Sequence, residues 1–143
     1  MARWQALTAQ GTEALKTATN VLRGGKKPHF AKASLETYAS IATDEKLEAA
    51  FRALCLAVPS EGDVAREIGQ NVDPDAIHGA REALISAVAE TNGPALERLY
   101  TSLPLGGKFS PDAAAAGNRA LRNTLLDYLG ILDGNPGRAA NSF

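Results

Sequence analysis

An all-α fold is what this sequence predicts, and three observations carry the prediction. Apolar residues recur at three- and four-residue steps in one segment after another, the spacing of a helix face. The breaks between those segments are short and rich in Gly, Pro, Asn and Asp, residues that end helices and begin them. Clusters of β-branched residues with period-two alternation, the mark of strands, do not compete anywhere. Short connections make successive helices neighbours, so six to eight helices are expected to stack as antiparallel pairs. No repeat of fixed period accompanies the pattern, so any solenoid here is irregular in sequence.

The first helix is expected over Ala2 to about Leu22, with Trp4, Leu7, Gly11, Ala14, Leu15, Ala18, Val21 and Leu22 on one side. Threonines and Asn20 weaken its intrinsic propensity, so packing through Trp4 and Leu7 has to hold it. Gly24-Gly25-Lys26-Lys27-Pro28 breaks the chain: tandem glycine ends one helix and Pro28 opens the next. That second helix runs from about Phe30 to Ala42, with Leu35, Tyr38, Ile41 and Ala42 inward. Past the polar turn Thr43-Asp44-Glu45-Lys46, a third carries Leu47, Phe51, Leu54, Cys55 and Val58 as its buried stripe, closed by Pro59. Ser60 caps a short fourth helix, with Asp63 three residues on as an imperfect capping box, Val64 and Ile68 inward and Gly69 at its end.

The central helix has the clearest start. Asp73 is an N-cap whose carboxylate accepts first-turn N–H groups, Pro74 fits the first helical position, and Asp75 suits the positive end of the dipole. Ile77, Ala80, Leu84, Val88 and Thr91 then form one stripe, and Asn92-Gly93-Pro94 is expected to stop the helix. Pro94 opens a further short helix packing Leu96, Leu99, Tyr100 and Leu103. Pro104-Leu105-Gly106-Gly107-Lys108 is the second glycine-rich break. Ser110-Pro111-Asp112 repeats the logic of Asp73-Pro74-Asp75 and begins a helix with Gly117, Leu121, Leu125, Tyr128 and Leu129 on one face. Its four alanines, Ala113 to Ala116, allow a neighbouring helix to come close. Asn135-Pro136 reads as one more helix start, begun and left unfinished at Phe143, a hint of truncation.

Size and charge narrow the function classes. A chain of 143 residues makes one compact domain that buries roughly two-thirds of its unfolded surface. A formal net charge of −1, without a basic stripe, gives no pull toward nucleic acid. The start, Met1-Ala2-Arg3-Trp4-Gln5, lacks the apolar core of a signal peptide, and no apolar run approaches the ~18 residues a membrane span requires. A lone cysteine, Cys55, suits a reducing compartment, and its place on an apolar helix face makes it a buried, inert thiol.

The chemistry-bearing patterns are missing one by one. His29 stands in a loop beside a proline and His78 in the first turn of the central helix; neither belongs to an H-E-x-x-H and no cysteine pair exists. Gly106-Gly107-Lys108 lacks the rest of a phosphate loop, and Phe109 follows its lysine. Lys26 and Lys27 read as a solvated loop. Asp73 with Asp75, and Glu45 with Glu48, are explained by helix starts and a wet face. Arg119 and Arg122, one turn apart, have the spacing to clamp a carboxylate but suit a solvated face or an internal salt bridge better. No catalytic, cofactor-binding or metal residue is therefore assigned.

A succession of segments nevertheless carries a resemblance: Arg3-Trp4-Gln5-Ala6; Phe51-Arg52-Ala53-Leu54 running into Val58-Pro59-Ser60-Glu61; Asp73-Pro74-Asp75-Ala76-Ile77-His78 with Ala80-Arg81-Glu82-Ala83-Leu84; and Arg119-Ala120-Leu121-Arg122-Asn123 with Tyr128-Leu129. In order and spacing the series resembles the bacterial aminopeptidase N family of zinc metallopeptidases, gluzincin in type, and within it the front part of the C-terminal helical domain. The resemblance implies an armadillo- or HEAT-like superhelix fragment over residues 1–143, without the catalytic domain. In that family a catalytic domain of thermolysin type carries H-E-x-x-H and G-x-M-E-N motifs, absent from this sequence, so none of its residues transfers here. The implied role is a non-catalytic scaffold in a cytoplasmic hydrolase that removes N-terminal amino acids from peptides. Zinc would belong to the parent enzyme and no cofactor to this chain. Its partners would be the parent's catalytic and β-sandwich domains, with peptide substrates reached through the parent and neither nucleic acid nor membrane involved. The alternative is a stand-alone helical module that docks a partner helix or peptide.

Overall fold

A computed structural model describes residues 2–103 and 113–133, and among them six helices and no strand occur. These are α1 (Ala2–Arg23), α2 (Lys32–Ala42), α3 (Ala49–Leu56), α4 (Glu61–Ile68), α5 (Pro74–Ser102) and α6 (Ala113–Asp133). The segments Gly106-Gly107-Lys108, Ser110-Pro111-Asp112 and Asn135-Pro136 lie outside the described residues. Two compact units divide the rest. One holds the chain up to Ala31 together with Val58–Ala87; the other holds Lys32–Ala57 and the chain from Val88 onward.

In the first unit α1 packs on α4, and the start of α5 completes the core. Leu7, Leu15, Ala18, Val64, Ala76, Ile77, Ala80 and Leu84 are its buried apolar residues. The expected faces of α1 and α4 are therefore realised at Leu7, Leu15, Ala18 and Val64. The threonine-rich α1 spends its hydroxyls locally: Thr19 is buried and donates to the Leu15 carbonyl at 2.7 Å, and half-buried Thr12 donates to the Thr8 carbonyl. Such back-bonding satisfies a polar group that would otherwise be costly inside a core. Tandem glycine ends α1 as predicted. Gly25 adopts φ +77°, and Lys26 and Gly25 donate back to the carbonyls of Val21 and Leu22, the paired bonds of a Schellman stop.

The start of α4 is a complete capping box: Ser60 accepts from the Asp63 N–H while the Asp63 carboxylate accepts from the Ser60 N–H. Gly69 follows with φ 80° and closes the helix by donating to the Ala65 carbonyl. At α5, Asp73 accepts from the Ala76 N–H at 3.2 Å and Pro74 takes the first helical position. Both starts are read correctly from sequence because capping is local chemistry.

In the second unit α3 packs on both α2 and α6, so the pairing extends beyond chain neighbours. Leu35, Tyr38, Ile41 and Ala42 of α2 are buried as expected, as are Gly117, Leu121, Leu125, Tyr128 and Leu129 of α6. The close approach foreseen at the alanine run is found one residue beyond it. A Cβ on Gly117 would lie 2.9 Å from the backbone nitrogen of Ala50, so α3 and α6 meet where a side chain is missing.

Three expectations need correction. First, α5 does not stop at Asn92-Gly93-Pro94 but runs for 29 residues with Pro94 inside it. A proline inside a helix removes one N–H, crowds the i−4 carbonyl and also clashes with the N–H and Cβ of the residue before it; Gly93, having no Cβ, eases the last of these. Asn92 is buried and donates its amide to the Leu35 carbonyl at 2.8 Å, and Leu96 beyond the proline is fully buried. Tertiary packing thus holds the helix through its weakest turn. Second, the α5 stripe passes through Ala89 and Asn92, whereas Thr91 is exposed. Third, the buried face of α3 is Ala53, Cys55 and Leu56, while Leu54 is 45% exposed. A two-turn helix offers too few apolar positions to fix its phase, and contact with α2 and α6 decides it. The bounds shift slightly too: α2 begins at Lys32, leaving Pro28 in the preceding loop, and α3 ends at Leu56, short of Pro59.

Candidate functional site

The densest polar cluster in the first unit gathers at the N-terminus of α4. There His78 of α5 holds Glu61 Oε1 at 2.9 Å from its Nδ1 and Glu82 Oε1 at 3.2 Å from its Nε2. Arg81 reaches the same loop and donates through Nε to the Pro59 carbonyl at 2.7 Å. Arg66 pairs with Asp63 one turn along α4. Two elements supply these groups because capping at Ser60 and at Asp73 fixes where each helix begins. Around Asp63 the electrostatics are specific: the Ser60 hydroxyl, then the Ser60 N–H, hydrogen-bond the carboxylate and hold its pKa below the ordinary value, with Arg66 contributing.

The cluster ties α5 to the start of α4. The His78, Glu61 and Glu82 side chains are all half or more exposed, so water screens their interactions. The two carboxylates occupy opposite edges of one imidazole. A metal needs ligands that converge on one point, and among the described residues no group of three or more His, Cys, Asp or Glu side chains does so. The zinc that the family resemblance implies does not fit the described residues of this chain.

The other sequence candidates are dispersed. His29, Lys26 and Lys27 are exposed in the loop after α1, and Cys55 is buried, 3% exposed. Arg119 and Arg122 do not act as a pair. Arg122 lies over the Tyr100 ring at 4.9 Å and donates to its hydroxyl at 3.1 Å, while Arg119 is exposed. That geometry joins α6 to the end of α5 through a cation–π contact.

Sequence reasoning missed a set of donors whose common target is the backbone. Arg52 donates to the carbonyl of Ala42, the last residue of α2, at 2.8 Å. Tyr128, buried in α6, donates to the carbonyl of Leu56, the last residue of α3. Asn92 reaches Leu35 and Arg81 reaches Pro59. The last carbonyls of a helix have no partner inside it, and α3 ends in an extended Ala57 instead of a glycine cap. Remote side chains therefore finish those helices. The available signal was Arg52, a cation set between Phe51 and Ala53 in an otherwise apolar helix.

The described residues thus define an all-α protein in which Arg52 and Tyr128 secure helix ends while Asn92 and Arg81 tie elements together within their units. Residues 1–142 match a domain of unknown function (DUF3458_C) described as ARM repeats. The chain belongs to that family. It is 46% identical over 86 residues to Aminopeptidase N of Caulobacter vibrioides, an alignment covering 60% of this chain and 10% of that protein. The chain therefore spans about a tenth of the curated relative's length. Its fold matches part of a crystal structure of Legionella pneumophila aminopeptidase A in complex with aspartic acid, with a TM-score of 0.78 and 18% identity, covering 98% of this chain and 16% of that one. The resemblance to the C-terminal helical domain of the aminopeptidase N family is thereby shown. Among the described residues, no helix is long and apolar enough to cross a membrane.

Proposed function

We propose that this chain is a non-catalytic helical wall of a zinc-dependent aminopeptidase, packed on the catalytic and β-sandwich domains of a longer cytoplasmic protein and limiting which peptides reach the active-site chamber. The 46% identity to Aminopeptidase N carries this reading. The way this chain uses its polar groups supports it. Arg52, Arg81, Asn92 and Tyr128 stiffen the helices against one another within each unit. Rigid stacked helices exclude bulky substrates by shape, and exclusion needs little chemistry.

Catalysis and zinc belong to the parent. The purified chain, supplied with zinc, is expected to hydrolyse no aminoacyl substrate and to retain no stoichiometric metal on elemental analysis. Turnover above background, or one tightly held zinc per chain, overturns the reading. In the longer protein, removing this segment is expected to raise hydrolysis of long peptides relative to dipeptides. An unchanged ratio in an enzyme still active on dipeptides leaves no wall to defend.

A further inference from the structure

Asn92-Gly93 is the only Asn-Gly step in the sequence, and it sits inside a helix. Asn-Gly is the dipeptide in which backbone attack on a side-chain amide is least hindered, because the glycine brings no Cβ to the approaching nitrogen. The Gly93 nitrogen attacks Asn92 Cγ, the C–N bond to the amide breaks, and ammonia leaves with the proton that the backbone nitrogen loses. The resulting succinimide then takes up one water and opens to aspartate or isoaspartate. No other reactant is needed.

Three features of the fold oppose this reaction. Helical dihedrals turn the Gly93 N–H along the helix toward the Ala89 carbonyl and away from the Asn92 side chain. The leaving amide is itself engaged, donating from Nδ2 to the Leu35 carbonyl at 2.8 Å. Asn92 is 6% exposed, which restricts the water that the second step consumes. One feature works the other way. Pro94 has no N–H, so the turn containing Asn92-Gly93 lacks the bond that would reach the Glu90 carbonyl, and Gly93 lowers its helix propensity further.

We infer that Asn92 is a spontaneous deamidation site gated by the docking of α5 on α2, and that its conversion locks the opened state. The product cannot return to the native arrangement. An aspartate at 92 offers no N–H to Leu35 and sets a poorly solvated carboxylate against a carbonyl oxygen in a buried place. An isoaspartate also inserts a methylene into the main chain in the middle of a helix. Each opening thus carries a small chance of irreversible loss, and the deamidated fraction records how often the two helices have parted.

The test follows amide loss at Asn92 by peptide mass mapping of the full chain, aged at constant pH and temperature with and without denaturing urea. Loss at Asn92 in the native chain is expected to be at least ~10-fold slower than in urea, since the rate follows the population of the opened form. Leu35→Ala, which loosens α2 without touching the dipeptide, is expected to move the native rate toward the denatured one. Aged native protein separated by size exclusion is expected to carry its deamidated chains in the expanded fraction. Equal rates with and without urea overturn the inference, as does a Leu35→Ala rate no faster than the parent's. Deamidated chains eluting with the compact fraction overturn the locking step.

Discussion

Tyr128 shows what one hydroxyl does at the level of a residue. Its ring is 2% exposed and its Oη donates to the carbonyl that ends α3. Tyr128→Phe keeps the ring and removes the donor, leaving the Leu56 carbonyl buried without that partner. A loss of about 1 kcal/mol is expected, read from the urea midpoint at unchanged slope. Stability within a few tenths of the parent would mean that the bond contributes nothing net. The buried ring was legible from its helical spacing with Leu121 and Leu125. Its acceptor was not, since Leu56 lies 72 positions earlier and no local rule links them.

Helices bring a different contrast, carried by two glycines in helix interiors. Both Gly79 and Gly117 lie inside helices, where Gly→Ala ordinarily stabilises by up to ~1 kcal/mol through backbone entropy. At Gly79 a new Cβ meets only the tip of Leu22, Cδ1 at 3.3 Å, which can rotate aside. At Gly117 it meets Ala50 backbone at 2.9 Å, and α3 would have to move from α6. Gly79→Ala is therefore expected to raise the melting temperature and Gly117→Ala to lower it, an overpacking cost of roughly 1–3 kcal/mol outweighing the entropy gain. Differential scanning calorimetry of the two variants decides the matter, and shifts of the same sign would refute the contact geometry. Helix existence, caps and the faces of α2 and α6 could all be read from the chain because they depend on neighbours within a few residues. The phase of α3 and the continuity of α5 could not. Leu54 turns outward and Pro94 stays helical for reasons that lie in other helices.

For the whole molecule, stability against acid depends on carboxylates of opposite character. Asp63 in its capping box has a lowered pKa, so its contribution is present at neutral pH and is lost as pH falls through that depressed value. Asp127 of α6 is an exposed residue whose pKa is raised by partial desolvation from its neighbours, so its ionised form costs a little stability, and protonation relieves that cost as pH falls through the raised value. Melting temperatures measured across the acid range are expected to fall less steeply for Asp63→Asn, whereas Asp127→Asn is expected to lift the neutral end of the curve. A profile for Asp63→Asn that parallels the parent would remove the capping box from the acid response. The candidate site follows the same division between near and far. Its helix starts were read from Ser60 and Asp73, and Glu82 is simply the i+4 neighbour of His78 on α5, but the meeting of His78 with Glu61 depends on how α5 lies against α4.

Pro94 has one more consequence, which concerns isotopes. A helix of 29 residues would ordinarily present an unbroken row of slowly exchanging amides between its frayed ends. Here one rung carries no hydrogen, so the carbonyl of Glu90 loses its usual partner on a residue open to water. Deuterium should thus enter α5 from the middle as well as from its tips, leaving two slow zones, one around Leu84 and one around Leu96, with a faster stretch between them.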